Sequence, residues 1–237
     1  MKINGWDVSE ANAKQHRVTV GNHSIKSDSE WIQGSPIAVF CKNELGFKEL
    51  EIVLVLREGK KEADADISKI LSHLLEPAEI VLNGYDHKFF GILKKSSKKE
   101  VVLERWYNLT LLFDCYEYAD EISTLFSGQT KFTVTNDGNI LTPVTIEITP
   151  QIGTALIVLT GICRDTSTGA DLPIRINELK TGKSVIIDSE TGLVTEDGEI
   201  KADVEFWNLP TLLPGKNQIT VDSNRMDITL RFHPRFM

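Results

Sequence analysis

Residues 101–118 read VVLERWYNLTLLFDCYEY. Val101, Leu103, Arg105, Tyr107, Leu109, Leu111 and Phe113 fall two apart, so an extended chain puts them on one face, and the spacing predicts one long strand. The opposite period occurs once. In EADADISKILSHLLEP, residues 62–77, Ile67, Ile70, Leu71, Leu74 and Leu75 follow the i, i+3, i+4, i+7, i+8 stripe of an amphipathic helix. Asp64 and Asp66 suit a first turn facing the dipole, and Pro77 suits the end.

Around these two stretches the chain reads as strand. Pro36 opens the short apolar run PIAVFCK, and ELEIVLVLRE (49–58) is dense enough in Ile, Val and Leu to be buried on both faces. EIVLNGYDHKFFGIL (79–93) holds two strands about an Asn-Gly turn. The N-terminal residues 3–31 mix strand pieces with polar loops, and Trp6 and Trp31 are candidate anchors for packing or for an interface, at least one of them intramolecular.

The polar stretch ADEISTLFSGQ (119–129) interrupts the pattern, and the domain boundary is placed there, giving domains 1–119 and 120–237. No helical period follows. KFTVTN, VTIEITP, TALIVLTGI, LPIRINEL, SVIIDS, DVEFW, NQITV and DITLRF are separated by turn signals such as Asn136-Asp-Gly138 and Pro214-Gly215. Eight short strands so spaced suit an antiparallel sandwich. In FWNLPTLLPGKNQITV (206–221), Pro210 and Pro214 fix φ in a loop, and Gly215 takes the positive φ of a type II turn.

Composition excludes several classes. Apolar residues are 41% and charged residues 25%, ordinary for a globular chain. The net charge of −8 divides as −2 over residues 1–118 (16 Lys/Arg against 18 Asp/Glu) and −6 over the rest (10 against 16). Neither part has the basic footprint of a nucleic-acid binder. The one basic run, Lys94 to Lys99, reads as a solvated turn between strands. No apolar run is long enough to span a membrane, and Met1 to Glu10 lacks a signal peptide's apolar region, so cytosolic synthesis is expected. Cys41, Cys115 and Cys163 are odd in number and far apart, which suits reduced thiols, Cys41 and Cys115 packed within strands.

Chemical motifs are sparse. His16, His23, His73, His87 and His233 show no metal spacing. Ser29, Ser35 and Ser127 lack a nucleophile elbow, and no phosphate-binding glycine loop occurs. Asp114, Glu117, Asp120 and Glu121 cluster in the manner of a paired-carboxylate glycosidase site, and are read instead as a solvated inter-domain connection. Residues 165–171 and 188–199 are acidic but off EF-hand spacing, and are read as loops. Phe126, Phe132, Phe206, Trp207, Phe232 and Phe236 are read as core. No catalytic, cofactor-binding or metal-binding residue is expected, and no cofactor. A sugar-binding or sugar-cleaving alternative would need a groove with Phe206 or Trp207 exposed beside carboxylates, whereas a buried Trp207 would favour a structural role.

The order ELEIVLVLRE, ISKILSHLLEP, EIVLNGYDHKFFGIL and a strand ending FDCYEY resembles the distal tail proteins of long-tailed, non-contractile bacteriophages and prophages. FTVTNDGNILTPVTIEITP (132–150), LLPGKNQITV and the ending DITLRFHPRFM extend that resemblance over nearly the whole chain. It implies a split β-barrel with one helix followed by a galectin-like β-sandwich. It also implies a hexameric ring at the tail tip of the virion. That ring would join the major tail tube protein to tail-associated lysin, baseplate or receptor-binding proteins, without turnover, nucleic acid or membrane span. The near-neutral first part would pack in the ring, and the acidic second part would stay at its rim. Galectins carry a His-x-Asn-Pro-Arg strand and a Trp-Glu pair. Here His233-Pro234-Arg235 lacks the asparagine and Asn208 follows Trp207, so no galectin-type sugar site is expected.

Overall fold

The structure, a computed structural model, describes residues 1–165 and 167–237, without the side chains of residues 40–42. It is mainly β with one α-helix, and its sheets are antiparallel. The chain divides into two compact units, Met1–Tyr118 with Met237, and Ala119–Phe236.

The first unit contains β1 (Lys2–Ile3), β2 (Trp6–Asp7), β3 (Ala13–Glu30), β4 (Val39–Leu56), α1 (Lys60–Ser72), β5 (Ala78–Val81), β6 (Lys88–Val102) and β7 (Trp106–Tyr118). The strands pair in the order β2-β1-β5-β6-β7-β4-β3. Alternation explains the core. Leu50, Ile52, Leu54 and Leu56 of β4 and Leu109, Leu111, Phe113 and Cys115 of β7 point to one side, where Ile67, Ile70 and Leu74 join them. Val53 and Val55, on the other face of β4, are buried as well.

Four expectations need correction. Residues 101–113 are not one strand: the chain reverses at 103–105, where Glu104 takes φ 55° and its N–H donates to Glu100 Oε1 (2.5 Å). Alternation cannot register such a tight turn, because Val101 and Leu103 keep the odd-position apolar pattern of β7 although both are exposed. The basic run is no solvated turn but part of β6, where Lys94 meets Asp114 (3.2 Å) and Lys98 lies over Tyr107 (4.2 Å to the ring centroid). Beyond Gly91, β6 has only β7 as partner, and lysines on such an edge discourage stray pairing. The helix begins at Lys60, so Asp64 and Asp66 stand inside it, and it ends at Ser72, before Pro77. Leu75 lies beyond the helix and is 82% exposed.

The fourth correction concerns residues 119–129, which hold a strand, β8 (Ile122–Ser127), inside the second unit. After it come β9 (Lys131–Asn136), β10 (Thr142–Pro143), β11 (Thr145–Pro150), β12 (Thr154–Arg164), β13 (Asp171–Leu179), β14 (Val185–Asp188), β15 (Val194–Glu196), β16 (Glu199–Ile200), β17 (Val204–Glu205), β18 (Thr211–Leu212), β19 (Gly215–Val221) and β20 (Met226–Phe232). One sheet runs β16-β15-β14-β11-β20-β8, the other β17-β13-β12-β19-β9, and their inner faces share one core. Phe126 and Phe132 stack across it at 4.1 Å.

The 206–221 stretch is held by two buried asparagines. Asn217 takes the Leu213 N–H on Oδ1 (2.9 Å) and donates to the Leu213 and Gly215 carbonyls. Asn136 donates to Thr142 Oγ1 (3.1 Å) and to the Leu213 carbonyl. Gly215 has φ 83°, as the type II reading requires.

At the irregularity in β12, Gly161 has φ 91°, and a Cβ there would stand 2.1 Å from the Gln218 carbonyl oxygen. Strain and overpacking act together at this position. Gly161→Ala should therefore lower stability by about 2–4 kcal/mol in urea denaturation. An unchanged midpoint would contradict the bulge geometry.

Candidate assembly surfaces

Strand β4 is longer than its sheet. It pairs with β7 only over Lys48–Leu56, while residues 39–45 pair with β3 alone. Residues 24–47 therefore form a two-stranded arm with no further strand on either edge among the described residues. A ribbon of this kind is marginally stable unless something packs on it. The arm is also apolar at its surface: Ile25, Trp31, Ile32, Ile37, Val39, Leu45 and Phe47 are all exposed, Trp31 by 67% and Ile37 by 70%. Its end is shaped by a turn in which the Ser35 N–H donates to the Ile32 carbonyl (2.9 Å) and Gly34 takes φ 88°.

The arm leaves the body at a buried ion pair. Lys48 Nζ, with a side chain only 4% exposed, donates to Glu117 Oε2, and His87 Nδ1 lies 2.7 Å from Glu117 Oε1. Burial alone would raise the Glu117 carboxyl, but the hydrogen bonds from Lys48 and His87 outweigh it and hold the group below the usual glutamate range. Beside them burial pushes the Cys115 thiol up to about 12, so it packs as a neutral group. Cys163, also buried, donates to the Asn208 carbonyl, and Cys41 lies outside the described side chains.

At the other end of β3 is a cavity of about 620 Å³. Ala13, Val55 and Trp106 give it apolar walls, and Lys14, His16 and Arg57 add basic side chains. Arg57 stacks on the Trp106 ring at 4.6 Å, and the buried Trp106 Nε1–H has no acceptor among the described residues. Below it Asn12 Nδ2 donates to Asp66 Oδ2 (2.9 Å) and Glu58 Oε2 (3.3 Å). Burial first, and Asp66 second, raise the Glu58 carboxyl above its usual range.

The remaining candidates are dispersed. Asp114 and Glu117 lie on opposite faces of β7, engaged by Lys94 and by Lys48, so they form no paired-carboxylate site. Asp120 and Glu121 open the second unit, with Glu121 3.8 Å from His233 Nε2. His23 contacts the Gly46 carbonyl at the base of the arm, His73 stacks on Trp6 at 4.3 Å, and His233 contacts the Ala119 carbonyl. Among the described residues no group of His, Cys, Asp and Glu is placed to hold a metal ion. Ser35 shapes the arm turn, Ser127 donates to Asp227, and Ser29 is part of β3. Asp165 caps its own turn through the Ser167 and Thr168 N–H groups, and Asp188 caps its turn by accepting from the Glu190 N–H and the Thr191 hydroxyl. Residues 194–196 and 199–200 are strands rather than loop. Phe126, Phe132, Phe206 and Phe232 join the sandwich core. Trp207 does not: it is 85% exposed, contrary to the core reading. The loop behind it is fixed, since Asn208 Nδ2 donates to the Arg164 carbonyl (2.7 Å).

The arm and the groove were not legible as sites. Alternation in 13–30 is weak because an arm wet on both faces has no reason to alternate, and the groove draws on three strands. The apolar residues Trp31, Ile32 and Ile37 about the Gly34-Ser35-Pro36 turn signal were the available sign.

No protein-family model and no curated protein sequence matches the chain. Solved structures do. The crystal structure of the phage SPP1 Dit protein, described as a paradigm of hub adsorption apparatus in Gram-positive infecting phages, superposes with a TM-score of 0.79 at 15% identity, covering 99% of this chain and 98% of that one. The phage P2 baseplate in its activated conformation, with calcium and with strontium, gives a TM-score of 0.50 at 10% identity over 95% of this chain and 92% of that one.

The Glu117 pair offers a direct test of the arm base. Folding lowers this pKa, so the pair adds stability above the usual glutamate range and loses it as pH falls through the lowered value. Lys48→Ala should cost about 3 kcal/mol at pH 7 by urea denaturation, and the gap to the wild type should close in acid, where a protonated Glu117 needs no cation. A gap independent of pH would assign the loss to packing instead. The chain has the fold of the SPP1 distal tail protein along nearly its whole length.

Proposed function

We propose that this protein is a structural component of a phage tail tip, a distal tail protein whose first unit builds a hexameric ring. The ring joins the tail tube to the baseplate, lysin or receptor-binding proteins that contact the host. The observation that carries this reading is the end-to-end superposition on SPP1 Dit, which spans both units rather than one recurrent domain. The arm supports it. A chain that exposes seven large apolar residues on a two-stranded ribbon is built to be covered by another chain. The near-neutral first unit lets copies crowd together, and the acidic second unit favours a peripheral place. The role is one of contact and geometry, without turnover.

One observation favours a second reading. The exposed Trp207 is half of what a glycan-binding sandwich would need. The other half is a groove with flanking carboxylates, and the cavities near β16 and near His233 are lined without Trp207. Trp207 therefore serves more readily as a protein contact at the rim.

Immuno-electron microscopy of purified phage particles encoding the chain should place the label at the tail end distal to the head, with about six copies per particle by quantitative mass spectrometry. Particles that infect without containing the protein would refute the proposal.

A further inference from the structure

We infer that the tip of the β3–β4 arm docks into the Ala13/Val55/Trp106 groove of a second copy of this chain. This rests on the ring reading and names the two surfaces that mate.

The two surfaces are complementary. The arm tip presents Trp31 and Ile32 to solvent, with Asp28 and Glu30 just before them, both exposed. The groove presents apolar walls with Lys14 and Arg57 at its side, and at about 620 Å³ it has the size of a small-ligand pocket, enough for an indole and an aliphatic neighbour. Neither Asp28 nor Glu30 has an ion-pair partner among the described residues, and Lys14 has none either. A tryptophan entering an apolar pocket with opposite charges at the rim is the usual make-up of an interface hot spot.

The topology determines the kind of assembly. Groove and tip stand at opposite ends of β3, whose 18 residues put roughly 40 Å between His16 and Asp28 at about 3.3 Å per residue. A tip on a two-stranded ribbon does not fold back onto its own base, so the mate is another copy. Two different patches at opposite ends of one element give a heterologous, head-to-tail contact, the type that closes into rings. Docking also covers the exposed apolar side chains of a two-stranded arm.

The test is self-association of the full chain by sedimentation velocity over a concentration series. Wild type should form oligomers larger than a dimer. Trp31→Ala and Asp28→Lys/Glu30→Lys, all on exposed side chains, should each weaken association about tenfold or more without changing the circular dichroism spectrum or Tm. Lys14→Glu/Arg57→Glu should do the same from the groove side. Combining both charge reversals in one chain should restore association, which a folding defect cannot do. Wild-type oligomers unaffected by the arm and groove changes would overturn this contact while leaving the tail-tip reading intact. Failure of the combined reversal to restore association, or a monomeric wild type at all concentrations, would overturn it too. Absence from phage particles would strike the tail-tip reading itself.

Discussion

The first unit is organised by a mismatch of lengths: β4 continues well beyond the last residue at which β7 can pair with it. Inside the body β4 has strand partners on both sides and apolar residues on both faces, which makes it the most constrained element of the unit. At Lys48 that support stops. A buried ammonium stands at this point, matched by Glu117, and His87 fixes the carboxylate from its other oxygen. The pair need not add much net stability compared with an apolar replacement. What it does is penalise slippage. Moving β4 by one residue against β7 would carry Lys48 to the opposite face and leave Glu117 buried without its ammonium partner. The register of the body, and with it the length of arm that projects, is therefore tied to one electrostatic contact.

Much of the fold was legible because burial imposes period. The even positions of 50–56 and the odd positions of 109–115 face a core, and their alternation announces it. The eight strands expected in the second unit appear as β9, β11, β12, β13, β14, β17, β19 and β20. Those that went unseen have physical reasons for silence. β10, β16 and β18 are two residues long, too short to show any period, and β8 alternates Ile122, Thr124, Phe126 with a hydroxyl in the middle. The turn at 103–105 is invisible to alternation because the exposed Val101 and Leu103 carry the same odd-position apolar pattern that Tyr107 and Leu109 carry as buried residues.

The surfaces were less legible than the core, for the complementary reason. An interface residue is apolar like a core residue, and sequence alone does not say which side of the sheet is covered. Trp207 shows the limit. Its neighbour Phe206 packs on the sandwich core, so alternation itself sends Trp207 outward, yet an exposed indole looked less natural than a buried one. Trp6 and Trp31 divide the same way. Trp6 has His73 to stack on and Lys69 above its ring, whereas Trp31 lies beyond the reach of any core.

Two carboxyls, Glu58 and Glu117, show how differently the two ends of β4 are built. Both resist burial, but Glu117 has cations to meet and Glu58 has Asp66. Folding therefore lowers one pKa and raises the other, and their contributions to stability run in opposite directions with pH. Glu58 favours the folded state while protonated and loses that contribution as pH rises through its raised value. Glu117 does the reverse, losing its contribution as pH falls. The arm base thus meets its buried carboxylate with cations, whereas the corner between β4 and α1, next to the groove, sets Glu58 beside Asp66 with the Asn12 amide donating to both.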